Sequence, residues 1–156
     1  MKNQVIVFAF LLAVSLSFTS CGEQKDPIVL QRDFYENMWE RFDYVTNQIE
    51  VDDISTFNLV LTMRFDEHYD FNYILLNFTI FNSDGDPYRT KDYKFNLKDN
   101  AGDWKSVLKD GYYQYEFSIN KDLVLHEPGS YTFRIENRMP KTPLIGVHSL
   151  RLYNEQ

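Results

Sequence analysis

Over residues 57–65 the side chains alternate. Phe57, Leu59, Leu61, Met63 and Phe65 fall on one side, and Asn58, Val60, Thr62 and Arg64 on the other. A period of two makes this a strand with one buried face. Residues 71–82 form a second long run, apolar on both sides in its middle (Ile74, Leu75, Leu76, Phe78, Ile80, Phe81). That pattern predicts a central strand covered on both faces. The segment Asn82-Ser83-Asp84-Gly85-Asp86-Pro87 is a turn, with Gly85 free to take positive φ. Residues 88–97 return as a third strand with Arg89, Lys91, Tyr93, Phe95 and Leu97 on one face. Its lysines predict an exposed or edge position.

The remaining pattern is shorter-ranged. Tyr113, Tyr115, Phe117 and Ile119 alternate with Tyr112, Gln114, Glu116 and Ser118, a fourth strand with the first set inward. Residues 122–126 read as a short apolar bridge, broken by Pro128-Gly129. Tyr131, Phe133 and Ile135 mark a fifth strand, and residues 147–153 a last one with Leu150 and Leu152 on one face. Residues 66–70 and 98–111 are loops by composition, and two prolines and a glycine keep residues 138–146 out of regular sheet. Near the start of this pattern, residues 28–35 fit an edge strand, while Phe34, Met38 and Trp39 also fit one helical turn. Trp39 is expected as a core anchor, given the area it buries. Six or more strands, turn signals between them and no convincing amphipathic helix predict an all-β fold. The architecture is a single antiparallel β-sandwich, immunoglobulin-like or jelly-roll-like.

What precedes the sheet pattern is of another kind. Lys2 gives a positive start, residues 5–14 are unbroken apolar, and residues 15–20 turn small and polar ahead of Cys21, the one cysteine of the chain. Basic start, short apolar middle and small residues at the cut describe an export signal. A membrane-spanning helix needs about 20 apolar residues, and this run has half that. Phe18-Thr19-Ser20-Cys21 resembles a bacterial lipoprotein box, in which the cysteine takes a diacylglycerol and the chain is cut before it. This divides the chain into a signal peptide (1–20), an acylated tether (21–27) and the sandwich domain (28–156). Acylation also removes a lone thiol from an oxidising compartment.

Charge narrows the partners. The full chain carries −7, and loss of Lys2 with the signal leaves −8. An acidic balance argues against nucleic acid and against anionic headgroups as docking partners. Attachment to a membrane then falls to the lipid on Cys21, at about 0.8 kcal/mol per buried methylene.

Catalytic chemistry has little to start from. His68, His126 and His148 are far apart and show no metal-ligand spacing. No nucleophile elbow and no glycine-rich phosphate loop is present. The expectation is therefore no enzyme, no metal and no cofactor. Asp84-Gly85-Asp86 and Asp99-Asn100-Ala101-Gly102-Asp103 offer oxygens, but their composition is that of hairpin turns and neither completes a calcium loop. Trp104 and Tyr112, at a loop and a strand start, are the candidate contacts for a protein partner or a glycan.

Several stretches together resemble the GldH-type gliding-motility lipoproteins of Bacteroidetes. They are the lipobox at Cys21, the early Trp39, Phe95-Asn96-Leu97-Lys98-Asp99 with Gly102-Asp103-Trp104, Gly129-Ser130-Tyr131-Thr132-Phe133-Arg134-Ile135, and Arg138-Met139 with Pro143-Leu144-Ile145-Gly146-Val147. The resemblance implies an outer-membrane lipoprotein that serves gliding and the associated type IX secretion machinery through other envelope proteins. It implies no catalytic residues. From the residues alone the reading stops at a lipid-anchored β-sandwich, with carbohydrate binding at the cell surface as the alternative role.

Overall fold

A computed structural model describes residues 27–155, so the export signal and Cys21 lie outside the described residues. The strands are β1 (Ile28–Asp33), β2 (Met38–Trp39), β3 (Val45–Val51), β4 (Ser55–Phe65), β5 (Tyr73–Phe81), β6 (Pro87–Asn96), β7 (Leu108–Lys109), β8 (Tyr112–Leu125), β9 (Gly129–Asn137), β10 (Leu144–Ile145) and β11 (Val147–Asn154). A single turn of 3-10 helix, Tyr35–Asn37, follows β1. One sheet runs β1-β11-β4-β8-β7 and the other β3-β9-β5-β6, with β10-β2 as a small pair. Every pairing is antiparallel. The fold is the all-β sandwich that the alternation predicts.

The alternating positions become the two inner faces. Leu59, Leu61, Met63 and Phe65 of β4 are buried opposite Ile74, Leu76, Phe78 and Ile80 of β5. Rings join the layers: Phe57 meets Phe133 at 5.9 Å, and Phe95 stacks on Phe117 at 4.0 Å. Trp39 is fully buried, stacked on Phe34 at 4.8 Å, and its Nε1 donates to Asp43 O at 2.7 Å. It is the core anchor expected.

Five details differ from the pattern reading, one being that Leu108 and Lys109 pair with Tyr113 and Tyr112 inside the stretch 98–111 expected as loop. Residues 45–51 form β3, unforeseen because Thr46, Asn47, Gln48 and Glu50 leave too few apolar positions to show a period. Residues 122–125 are the end of β8, not a bridge. A register shift opposite Leu59 absorbs the break, with Asp122 at φ 53 and its N–H bonded to Asn58 Oδ1. Leu144 and Ile145 do pair as strand, with Trp39 and Met38, despite the prolines around them. Among the described residues central strand β5 has no third layer on its outer face; Lys94 over the Tyr73 ring and Arg134 over Phe81 cover it instead. Strand β6 is an edge, as its lysines predict.

Candidate functional site at the loop-bearing end

Strand direction sorts the connections. The short turns 52–54, 82–86 and 126–128 gather at one end with residues 27 and 155, where Asn154 N–H bonds Pro27 O. The long connections 34–44, 66–72, 97–111 and 138–146 gather at the other. Six of the nine large apolar side chains exposed among the described residues lie there: Tyr35, Phe42, Tyr44, Val107, Leu108 and Ile145. Val107 is 84% exposed, Tyr35 81% and Phe42 73%. Scattered single apolar residues mean little, but their concentration at one end makes that end the candidate contact surface.

The backbone there is held in shapes that cost energy. Glu36, Asn37, Phe42 and Asp110 all take positive φ, a region worth about 1–3 kcal/mol of strain for a non-glycine residue and frequent at functional sites. A polar network ties the loops into one unit. Asn37 Nδ2 donates to Asp66 Oδ2 at 2.8 Å, and His148 Nδ1 donates to Asn37 Oδ1 at 2.9 Å. Asp66 Oδ1 accepts the His68 N–H at 2.9 Å, and Gly146 N–H bonds Asn37 O. Three connections (34–44, 66–72 and 138–146) are thereby cross-linked. Beneath them Tyr69 is buried and gives its hydroxyl to Tyr73 O at 2.9 Å, and burial pushes that phenol well above its ordinary pKa.

The two aromatic candidates are not brought together. Trp104 faces the core end: it stacks on Tyr113 at 4.2 Å and packs near Phe65, Tyr69 and Tyr115. Lys98 Nζ lies 4.4 Å from the same ring. An ammonium and a stacked ring cannot share one face at those distances, so both faces of the indole are covered. Tyr112, one residue before Tyr113, turns to the opposite side of its sheet. It stacks on His148 at 4.0 Å and lines a shallow groove of about 380 Å³ with Arg64, Val107, Leu108 and Gln114. Cys21 lies outside the described residues.

Each of the two acidic loops commits a side-chain oxygen to its own turn. Asn82 Oδ1 accepts the N–H groups of Asp84 and Asp86, and Asp99 Oδ1 those of Ala101 and Asp103, which is turn chemistry. No group of three or more His, Cys, Asp or Glu converges among the described residues. The exposed Tyr35, Phe42, Val107, Leu108 and Ile145 escaped the pattern reading. Their one signal was an apolar residue stranded in a stretch with no period, which therefore has no face to bury it.

A search of curated proteins returns no match. The family model described as GldH lipoprotein matches residues 30–152, nearly the whole described domain. The chain belongs to the GldH lipoprotein family.

Proposed function

We propose that this lipoprotein is held in the outer membrane by lipid on Cys21 and serves the gliding-motility machinery, with its associated type IX secretion, by binding neighbouring envelope proteins. Family membership supports the association with gliding motility and with a membrane. The observation that carries the contact role is the polarity of the sandwich. Tight turns and both ends of the described chain sit at one end, and exposed apolar side chains on strained, cross-linked loops sit at the other. A tether from Cys21 to residue 27 would direct that second end away from the bilayer.

The test is colony spreading on agar. Cys21→Ala should abolish spreading and the incorporation of labelled palmitate. Phe42→Ser combined with Val107→Ser changes only exposed side chains, so stability should stay within about 0.5 kcal/mol while spreading is lost. Unaltered spreading in both strains would remove the reading. Carbohydrate binding is the second reading, and Tyr112, which lines the groove, is the aromatic that favours it. Loss of glycan-array binding in Tyr112→Ala would favour the sugar.

A further inference from the structure

We propose that the open edge of β6 is a docking strand for an extended, acidic polypeptide segment, added to the sheet by backbone pairing. This rests on the reading of the protein as an interaction module and names one surface and the chemistry of its partner.

The other long edges of the sandwich are engaged. Along the free side of β8, Ile119 O accepts the Tyr93 hydroxyl, Val124 O the Tyr88 hydroxyl at 3.1 Å, and Gln114 O the Ser106 hydroxyl at 2.6 Å. Edges β1 and β3 lie against each other, tied by Asn47 Nδ2 donating to Val29 O at 2.6 Å. Strand β6 is different. It pairs with β5 alone and in unbroken register from Arg89 to Asn96. Leu97 N–H bonds Asn72 O, and antiparallel pairing alternates. The odd-numbered residues therefore give their peptide groups to β5, and Thr90, Asp92 and Lys94 turn theirs outward. No group among the described residues bonds these outward peptides, and all three residues are exposed.

Charge selects the occupant. The chain carries −7, yet Arg89, Lys91 and Lys94 stand together on this edge. Among the described residues none of the three is paired with a carboxylate, and Arg89 bonds only the neutral Asn120 Oδ1, at 3.3 Å. Asp92, the one acid on the strand, is engaged by Asn77 Nδ2 at 2.8 Å. Lysines on an edge often keep other strands off. Here they lie down on rings instead: Lys91 Nζ is 4.8 Å from the Tyr93 centroid and Lys94 Nζ 4.4 Å from that of Tyr73. The ladder is left clear, with cations along both of its rims. An added strand bearing carboxylates at alternate positions meets Lys94 on the outer rim or Arg89 and Lys91 on the inner one. Main-chain pairing supplies affinity and the carboxylates supply selection.

The experiment uses the full-length protein purified from membranes in detergent, with amide hydrogen exchange as the readout. The probes are two eight-residue peptides with blocked ends, one alternating Glu and Thr, the other Lys and Thr. The acidic peptide should slow exchange at Thr90, Asp92 and Lys94 by about tenfold when its concentration is ten times Kd, with the effect shrinking as salt rises. Lys91→Glu combined with Lys94→Glu should reverse the preference between the peptides. Asp92→Pro, which removes an outward donor together with the carboxylate held by Asn77, should abolish protection by both peptides, whereas Asp92→Ala, which removes the carboxylate alone, should not. Equal protection by the two peptides, or none from the acidic one on a folded protein, overturns the proposal. Such a failure leaves the spreading phenotype of Cys21→Ala untouched, so the two readings fail separately.

Discussion

Gly146 and Gly85 both take positive φ, at +83° and +84°, but they do so in different surroundings. A Cβ at Gly146 would stand 2.5 Å from Tyr69 N and 2.8 Å from Asp66 Oδ1, both set by the network that joins the loops. A Cβ at Gly85 would meet nothing within 4 Å. Both alanine variants carry the backbone penalty of about 1 kcal/mol, and only Gly146→Ala adds the clash. Urea unfolding should therefore show Gly146→Ala destabilised by about 3 kcal/mol or more and Gly85→Ala by about 1. Equal losses would mean that the loop network yields to fit a methyl group. Gly85 was readable as a turn residue from its neighbours in the chain. The need for glycine at residue 146 was not, because the atoms that forbid a side chain come from residues 66 and 69.

At the scale of elements, β6 and β8 belong to opposite sheets, and tyrosine hydroxyls bridge them. Tyr93 caps Ile119 O from across the sandwich, while Tyr115 reaches back to Leu97 O. Between these bridges Tyr93, Phe95, Phe117 and Tyr115 form a continuous stack. Tyr93→Phe keeps the ring and leaves Ile119 O without its donor. The expected cost is about 1–2 kcal/mol, measured by urea unfolding, with earlier aggregation on heating because part of the β8 edge is opened. A variant as stable as the parent would show that water replaces the hydroxyl without penalty. Most strands were legible because period two survives wherever one face is apolar and the other polar. Strand β3 was not, since it is a mostly polar edge strand with few inward positions to reveal it. The long β8 was cut short for the opposite reason: Asn120, Lys121 and Asp122 look like a turn, and only pairing with β4 carries them through as a bulge. The roles of Trp104 and Tyr112 were hidden too. Adjacent strand residues point to opposite sides, so Tyr112 cannot accompany Tyr113 and the indole stacked on it.

For the whole molecule, the core is rich in phenols held away from water. Burial raises the pKa of Tyr69, Tyr93 and Tyr115. A raised value means that the folded state keeps a proton the unfolded chain gives up near pH 10. The stability this represents is complete below that pH and is lost as pH rises toward the folded values. Urea unfolding between pH 9 and 11 should show stability falling. The fully buried Tyr69 should contribute a slope that climbs through the unfolded value near pH 10 and approaches about 1.4 kcal/mol per pH unit by pH 11, and Tyr69→Phe should remove that contribution. An unchanged slope in Tyr69→Phe would show that the hydroxyl reaches solvent.

The arrangement of the chain ends bears on how the protein can be watched in cells. With the Asn154 N–H bonded to Pro27 O, a fluorescent reporter fused after residue 155 emerges beside the start of β1, and under the proposed anchoring at Cys21 it would lie on the membrane side of the domain. The eleven residues of β4 span about 35 Å, so the loop-bearing end stands roughly that far from such a graft. A fusion there should leave the proposed contact end free, whereas an epitope placed in residues 98–104 would sit at that end and report on its accessibility.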